Sequence, residues 1–240
     1  MDFKLFIQNF LTYLGLDVKS YNLKNSFNFR LKHFLDLKQI DCVLDVGANS
    51  GQFALNLRRI GFKGQIISFE PITSAYNELK KNSKKVKNWE VFNFALGDIE
   101  EETEINISQN SLSSSIMNME KEHLISEPKS KYIRREKISI KTLNNLDNEI
   151  LKKFKNIYLK IDTQGYEEKV LNGATNLIRL IKGLQLEMSI YPMYEGQLLF
   201  SKFYENVENL DFELWDIKRT FSNPETGKIL QKNAIFFKKS

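Results

Sequence analysis

Val43-Leu44-Asp45-Val46-Gly47-Ala48-Asn49-Ser50-Gly51, with Phe53-Ala54-Leu55-Asn56-Leu57 behind it, decides how this chain of 240 residues is read. An apolar run with an acid near its end, a glycine turn and then a helical pattern make the opening strand-turn-helix of a nucleotide-type site. Glycines in such a turn let backbone N–H groups face a ligand, and the helix N-terminus adds partial positive charge. A polar or anionic ligand is therefore expected at the turn.

Outward from that stretch, strands and helices alternate. Gly61 and Gly64 bracket the return into Gln65-Ile66-Ile67-Ser68-Phe69-Glu70. Pro71 then precedes a helix over Thr73 to Lys81, where the missing N–H of a proline is no loss. Glu70 lies 23 positions after Gly47, close to the roughly 20-residue offset at which a strand-end acid meets ribose hydroxyls. Trp89 to Phe94 alternates as a third strand and ends in the turn Ala95-Leu96-Gly97-Asp98. Further on, a helix from about Leu143 to Phe154 precedes the strand Ile157-Tyr158-Leu159-Lys160-Ile161-Asp162 and the turn Thr163-Gln164-Gly165. Tyr166 to Ile181 reads as a helix, and Gly183 starts a fifth strand carrying Glu187. Leu198 to Leu210 reads as a helix, and Phe212 to Ile217 and Ala234 to Phe237 as two final strands. Short buried strands separated by helices imply an α/β, Rossmann-like sheet, mostly parallel, with helices on both faces.

Residues 99 to 140 interrupt the alternation. Glu104 to Ser108 and Ile138 to Ile140 read as short strands, and Asn110 to Ser115 as a polar, flexible loop. A connection of this length with little regular structure is usually a functional lid or disordered. His123 lies inside it; an isolated loop histidine is usually just solvated, yet histidine is the commonest general base. Tyr191 to Gly196 is a turn-rich loop with two aromatic residues and Glu195, placed to line an acceptor pocket.

Upstream, Phe3, Phe6, Ile7, Phe10, Leu11 and Leu14 repeat at helical spacing, and Phe27 to Leu37 gives a second helical pattern covering the sheet. The first helix is expected to dock on the domain, ahead of a second subunit or a membrane face, because a membrane-surface helix usually carries more Lys and Arg. Residues 1 to 40 thus form a helical extension to a domain over 41 to 240.

Composition closes off other classes. Apolar residues at 42% and four prolines exclude a disordered chain, and the single cysteine, Cys42, excludes an internal disulfide framework. The net charge of +5 comes from scattered lysines, which describe a solvated surface rather than a nucleic-acid stripe. No apolar run reaches the roughly 18 residues of a membrane span, and the N-terminus lacks a secretory layout, so a cytoplasmic protein is the default.

The first loop is not G-x-G-x-x-G. It reads D-x-G-x-N-x-G and resembles the first motif of class I S-adenosylmethionine-dependent methyltransferases. Together with Phe69-Glu70-Pro71, Asn93-Phe94-Ala95-Leu96-Gly97, Ser113-Ser114-Ser115, Ile161-Asp162-Thr163-Gln164-Gly165-Tyr166-Glu167 and Glu187, it resembles the successive signatures of the FkbM methyltransferases. That resemblance implies a seven-stranded Rossmann-like enzyme, with Asp45, Gly47, Asn49 and Gly51 around the methionine end of S-adenosyl-L-methionine, Glu70 and Pro71 at the ribose, and Ala95, Leu96 and Gly97 near the adenine. It places Asp162 and Glu187 on the acceptor side. Two positions depart from the pattern, Asn144-Asn145 and Asn233 standing where acids are common.

A hydroxyl is a poor nucleophile while protonated, so a base or a divalent metal should assist transfer. Asp162, Glu187 and His123 are the candidates, in that order; the alternative for the two acids is orientation by hydrogen bonds. The expected acceptor is a small molecule or sugar, such as a nucleotide-linked sugar or glycan, since many relatives methylate sugar hydroxyls and the residue usage suggests a bacterial surface-polysaccharide pathway. The apolar first helix makes a homodimer plausible. A nucleic-acid methyltransferase is the first rival, but lacks its Asn/Asp-Pro-Pro-aromatic motif after the fourth strand. A non-catalytic cofactor-binding module is the second, and a nicotinamide oxidoreductase the third.

Overall fold

In the computed structural model, residues 3–16, 18, 20–146 and 151–239 are described. The strands are β1 (Cys42–Val46), β2 (Gln65–Phe69), β3 (Trp89–Phe92), β4 (Ala95–Leu96), β5 (Glu101–Ser108), β6 (Tyr132–Lys141), β7 (Ile157–Ile161), β8 (Ile181–Ser189), β9 (Phe212–Ser222) and β10 (Ile229–Lys238). The helices are α1 (Phe3–Tyr13), α2 (Phe27–Leu37), α3 (Gln52–Arg59), α4 (Thr73–Ser83), α5 (Lys121–Ser126), α6 (Glu167–Asn172) and α7 (Phe200–Asn209).

Every residue of β1 is buried, as a strand covered on both faces requires. It pairs in parallel with β2 on one side and β7 on the other. The full order is β3-β2-β1-β7-β8-β10-β9, with β10 antiparallel to both neighbours. Strands run outward from β1 through β2 to β3 in one direction and from β7 to β8 in the other, where β10 returns between β8 and the edge strand β9. The switch point between β1 and β7, at the carboxyl ends of the strands, is where open α/β sheets bind ligands. Alternate residues feed two cores. Leu44, Phe69, Leu159, Leu184 and Phe236 pack with Phe203 and Val207 of α7. Val43, Ile66, Tyr158 and Phe237 pack with Leu31 and Leu35 of α2 and Leu57 of α3. Arg30 fastens α2 to β9 by donating to both oxygens of Asp216, at 2.6 and 3.2 Å.

The sheet is the one expected, and several local readings change. Residues 99 to 140 are largely regular: β4, β6 and β5 form a second, three-stranded sheet. Ile105, Ile107, Ile138 and Ile140 are its buried face, and the charged outer ends of β5 and β6 had hidden their length. The helix after Tyr166 stops at Asn172, and the next residue, Gly173, packs against the carbonyl of Gly97, where a Cβ would come within 1.9 Å. Ile181 accordingly belongs to a strand. The helix expected around Leu143 to Phe154 falls partly outside the described residues; Leu143–Asn145 is a single 3-10 turn. On α1 the side chains of Leu5, Phe6, Ile7 and Phe10 are exposed. Among the described residues no helix is long and apolar enough to cross a membrane.

Candidate active site

The turn after β1 is held from beneath. Gly47 adopts a φ of +71°, and a Cβ there would come within 1.9 Å of the Asp162 carbonyl oxygen, so only glycine lets β1 and β7 leave the sheet this close together. The N–H groups of Gly47 and Ala48 both donate to the Phe69 carbonyl, at 3.1 and 3.0 Å. Asn49, at a φ of +47° that asparagine tolerates better than most residues, donates its N–H to Glu70 Oε2 at 2.8 Å. Its own Oδ1 accepts from the Ser50 N–H. These turn amides are satisfied within the protein and form no anion cradle, which narrows the opening expectation from any anionic ligand to one that needs no phosphate site.

Glu70 is the rigid acid of this end. Its second oxygen accepts from the Ile72 N–H at 2.9 Å, while the Asn93 side chain donates to the carbonyls of Glu70 and Pro71. Burial raises the Glu70 carboxyl to about 7, against two backbone N–H donors that favour its charged form.

A cleft of about 330 Å³ opens above the switch point, a size suited to a small-molecule ligand. Phe69, Ile72, Leu96 and Ile105 give it apolar walls, and Gly47, Asn49, Pro71 and Ala95 line it beside them. Its carboxylates are Glu70, Asp162 and Glu187. Asp45, Gly51 and Gly97 are not part of the lining. Asp45 is fully buried below the turn, Gly51 is the left-handed residue before α3 and packs on the Trp89 ring, and Gly97 fits under Ile140 and Tyr166.

Asp162 and Glu187 meet through one carboxamide. Gln164 Nε2 donates to Asp162 Oδ1 at 2.9 Å and to Glu187 Oε2 at 2.7 Å, while Gln164 Oε1 accepts from the buried Tyr194 hydroxyl at 2.7 Å. The Gln164 carbonyl accepts from Ser115 Oγ at 2.6 Å. These bonds hold Gln164 at a left-handed φ of +57°, a backbone strain that surroundings must sustain. Gln231 adds a donor to Glu187 Oε2 at 3.3 Å. Burial first, then Asp162 and Glu167, pushes the Glu187 carboxyl well above the usual range. Burial likewise raises Glu167 to about 7; this acid caps the turn by accepting from the N–H groups of Thr163 and Gly165.

Lys160 is the group the sequence reading passed over. It is buried, with Nζ at 3.1 Å from Asp45 Oδ1 and 3.7 Å from Asp162 Oδ2, and it donates to the Gly47 carbonyl at 3.2 Å. Despite burial, the two acids hold its pKa above the ordinary lysine value. A lysine inside an otherwise apolar strand needs a charged partner, and that signal was present between Leu159 and Ile161. Gln164, part of the turn signature after β7, and Asn233, which stands where acids are common, also line the cleft, as does Thr220, which the sequence did not single out.

His123 is placed elsewhere. It is buried on α5 against the rings of Tyr194 and Phe221, at centroid distances of 5.2 Å each, and does not line the cleft. Burial lowers its pKa to about 4. The loop reading failed because Tyr194 and Phe221, distant in sequence, cover the ring.

A family model of the FkbM methyltransferase domain matches residues 45–214. The chain belongs to the FkbM methyltransferase family. Membership makes it an S-adenosylmethionine-dependent methyltransferase. Among solved structures, the FkbM methyltransferase of Methylobacillus flagellatus KT aligns with a TM-score of 0.50 and 13% identity, over 81% of this chain and 43% of that one. The chain thus spans less than half the length of that relative, and the likeness is one of fold. A TehB-like S-adenosylmethionine-dependent methyltransferase of Corynebacterium glutamicum aligns at a TM-score of 0.42 and 14% identity, over 98% of this chain and 97% of that one. An rRNA methylase of Streptococcus thermophilus aligns at 0.48 and 11%, over 88% and 96%. A search of curated protein sequences gave no significant match.

Proposed function

We propose that this FkbM methyltransferase transfers the methyl group of S-adenosylmethionine to a sugar hydroxyl, on a nucleotide-linked sugar or a glycan. The observation that carries the reading is the pair Asp162 and Glu187, bridged by Gln164 in a partly apolar cleft beside the Gly47 turn. When bound, S-adenosylmethionine supplies a methyl on a sulfonium: the acceptor oxygen takes the methyl, the S–CH3 electron pair stays on sulfur, and the hydroxyl proton must leave. The residues present suit such a group. Glu70 is fixed to receive ribose hydroxyls, Pro71, Ala95 and Leu96 flank the nucleoside, and the lining carboxylates complement a cation. The turn from Gly47 to Asn49 packs against the methionine end, with Asp45 and Lys160 bracing it from below.

In this reading Asp162 and Glu187 orient the acceptor hydroxyl and take its proton. Placement supplies most of the acceleration, and a positioned base typically adds about 10²–10⁴-fold. Among the described residues no group of three or more His, Cys, Asp or Glu converges to hold a metal ion. The test is incubation of purified protein with S-adenosylmethionine and a panel of nucleotide sugars, read by mass spectrometry. A cofactor-dependent gain of one methyl is expected on at least one member, and no gain on any counts against the proposal.

A further inference from the structure

The far wall of the cleft, opposite Glu70, is built by the antiparallel end of the sheet. Asn233 of β10 stands directly across from Glu187 of β8. The β9–β10 register slips so that Phe221 pairs with Gln231 and Arg219 with Lys232, leaving Thr220 as the extra residue of a bulge. A bulge re-aims a side chain, and such bulges recur beside active sites. Here Thr220 lines the cleft together with Glu187. Asn233 also lines the cleft, and its Oδ1 is sealed from solvent without a hydrogen-bond partner. A buried amide oxygen left unpaired is expensive, and among the described lining residues Asn233 is the one in that state. Both residues lie beyond the region matched by the family model.

The charge of the lining is one-sided. It carries Glu70, Asp162 and Glu187 and, among the described residues, no lysine, arginine or histidine. Lys160 sits just behind it, committed to Asp45 and Asp162. Lys218, the cross-strand partner of Asn233, holds its ammonium 5.1 Å from the centre of the Phe27 ring. An anionic group on the acceptor would meet these acids with no protein cation to pair it, which disfavours it against a neutral one.

We infer that Asn233 and Thr220 form the acceptor subsite and that it takes an uncharged, hydroxyl-bearing sugar ring, a second hydroxyl of that ring hydrogen-bonding the Asn233 carboxamide. Carboxylates and phosphates of the acceptor stay outside the cleft. The inference rests on the sugar O-methyltransferase reading and narrows it: a uronic acid is refused where the matching neutral hexose is accepted.

The experiment uses matched pairs, glucose with glucuronic acid and galactose with galacturonic acid, each as the nucleotide-linked sugar and as the methyl glycoside. Methyl transfer is measured for the native protein, Asn233→Leu and Thr220→Val. The neutral member of a pair is expected to exceed its uronic acid at least about 100-fold in kcat/KM, as unpaired buried charge dictates. Asn233→Leu should lower kcat/KM for the neutral sugar about 10- to 100-fold, and the deoxy sugar lacking the hydroxyl that Asn233 reads should lose nothing further in that variant. Thr220→Val provides an independent reading of the same wall, and calorimetry with S-adenosylmethionine reports whether each variant keeps its fold. Transfer to uronic acids as fast as to neutral sugars, or unchanged kcat/KM in both variants, overturns the subsite while leaving the sugar reading standing. No methylation of any pair overturns the sugar reading, and the subsite with it.

Discussion

Lys160→Met tests whether the interior charge under the glycine turn is structural. Lys160 Nζ lies 3.1 Å from Asp45 Oδ1, and Asp45 is fully buried. That oxygen has no hydrogen-bond partner, so the ammonium is what compensates it. At an effective dielectric of about 20, charges at this separation attract by about 5 kcal/mol. The weaker pair with Asp162, at 3.7 Å and with a partly exposed carboxylate, is discounted. Methionine keeps the volume and removes the charge, leaving Asp45 uncompensated, which typically costs about 3–5 kcal/mol. Urea unfolding followed by fluorescence should show a midpoint lowered by roughly 1–2 M for a slope of about 3 kcal/mol/M. Adding Asp45→Asn should recover most of the loss, because the second change removes the stranded charge rather than a further interaction, giving a coupling of at least about 2 kcal/mol. A single-variant loss below about 1 kcal/mol, or losses that simply add in the double variant, would refute the reasoning.

Gly47→Ala should abolish cofactor binding by calorimetry and lower stability, since its Cβ would lie 1.9 Å from a backbone oxygen at a φ of +71°; retained binding would show that β1 and β7 can separate at the turn. Glu70, raised to about 7 by burial, binds more protons folded than unfolded between about pH 4.5 and 7, so its contribution to stability declines as pH rises through that window. Ribose hydroxyls donating to Glu70 would favour its ionised form. Cofactor affinity should therefore strengthen through about pH 7 in the native protein and lose that component in Glu70→Gln, as calorimetry across pH 5.5–8.5 (roughly three units centred on the Glu70 value) would report. Asp162→Asn should bind cofactor normally and lose about 10²–10⁴ in turnover; near-normal turnover would remove Asp162 from the chemistry. Because the Glu187 carboxyl is raised by burial and by Asp162, the acid limb of the kcat profile should lie above the ordinary carboxylate range and shift in Glu187→Gln.

What the sequence made legible follows from how local each feature is. The turn from Gly47 to Gly51, the acid at the end of β2 and the acid after β7 are written in contiguous residues, because chain geometry and strand burial act over a few positions. Gln164 was read as a turn residue, and nothing near it in sequence announces that its amide spans Asp162 and Glu187 or that Tyr194 holds it from thirty positions away (194 − 164). Thr220 is a harder case. The sequence pattern ends its strand at Ile217, short of Thr220, and within β9 the bulge shifts by one the face that strict alternation would assign. In the 99 to 140 segment the failure was one of composition: charged residues such as Glu101, Glu102, Arg134 and Arg135 occupy solvent-facing strand positions, so the strands looked shorter than they are.

The backbone donors of the glycine turn separate it from the dinucleotide-binding turn it resembles at first sight. In a phosphate-binding loop the amides point outward, so the ligand completes their hydrogen bonds. Here the N–H groups of Gly47 and Ala48 close on Phe69, that of Asn49 closes on Glu70, and that of Ser50 on the Asn49 side chain. The positive potential such amides could offer a phosphate is already used to steady an acid. What faces the cleft is therefore carboxylate: Glu70 at one end, Asp162 and Glu187 at the other. A site with its donors turned inward and its acids turned outward favours a cation and hydroxyl groups, the chemistry of a sulfonium cofactor with a ribose. Freeing these amides for a phosphate would release the Phe69 carbonyl, the Asn49 side chain and the Glu70 carboxylate together, so the two ligand classes exclude one another through the turn's own hydrogen bonds.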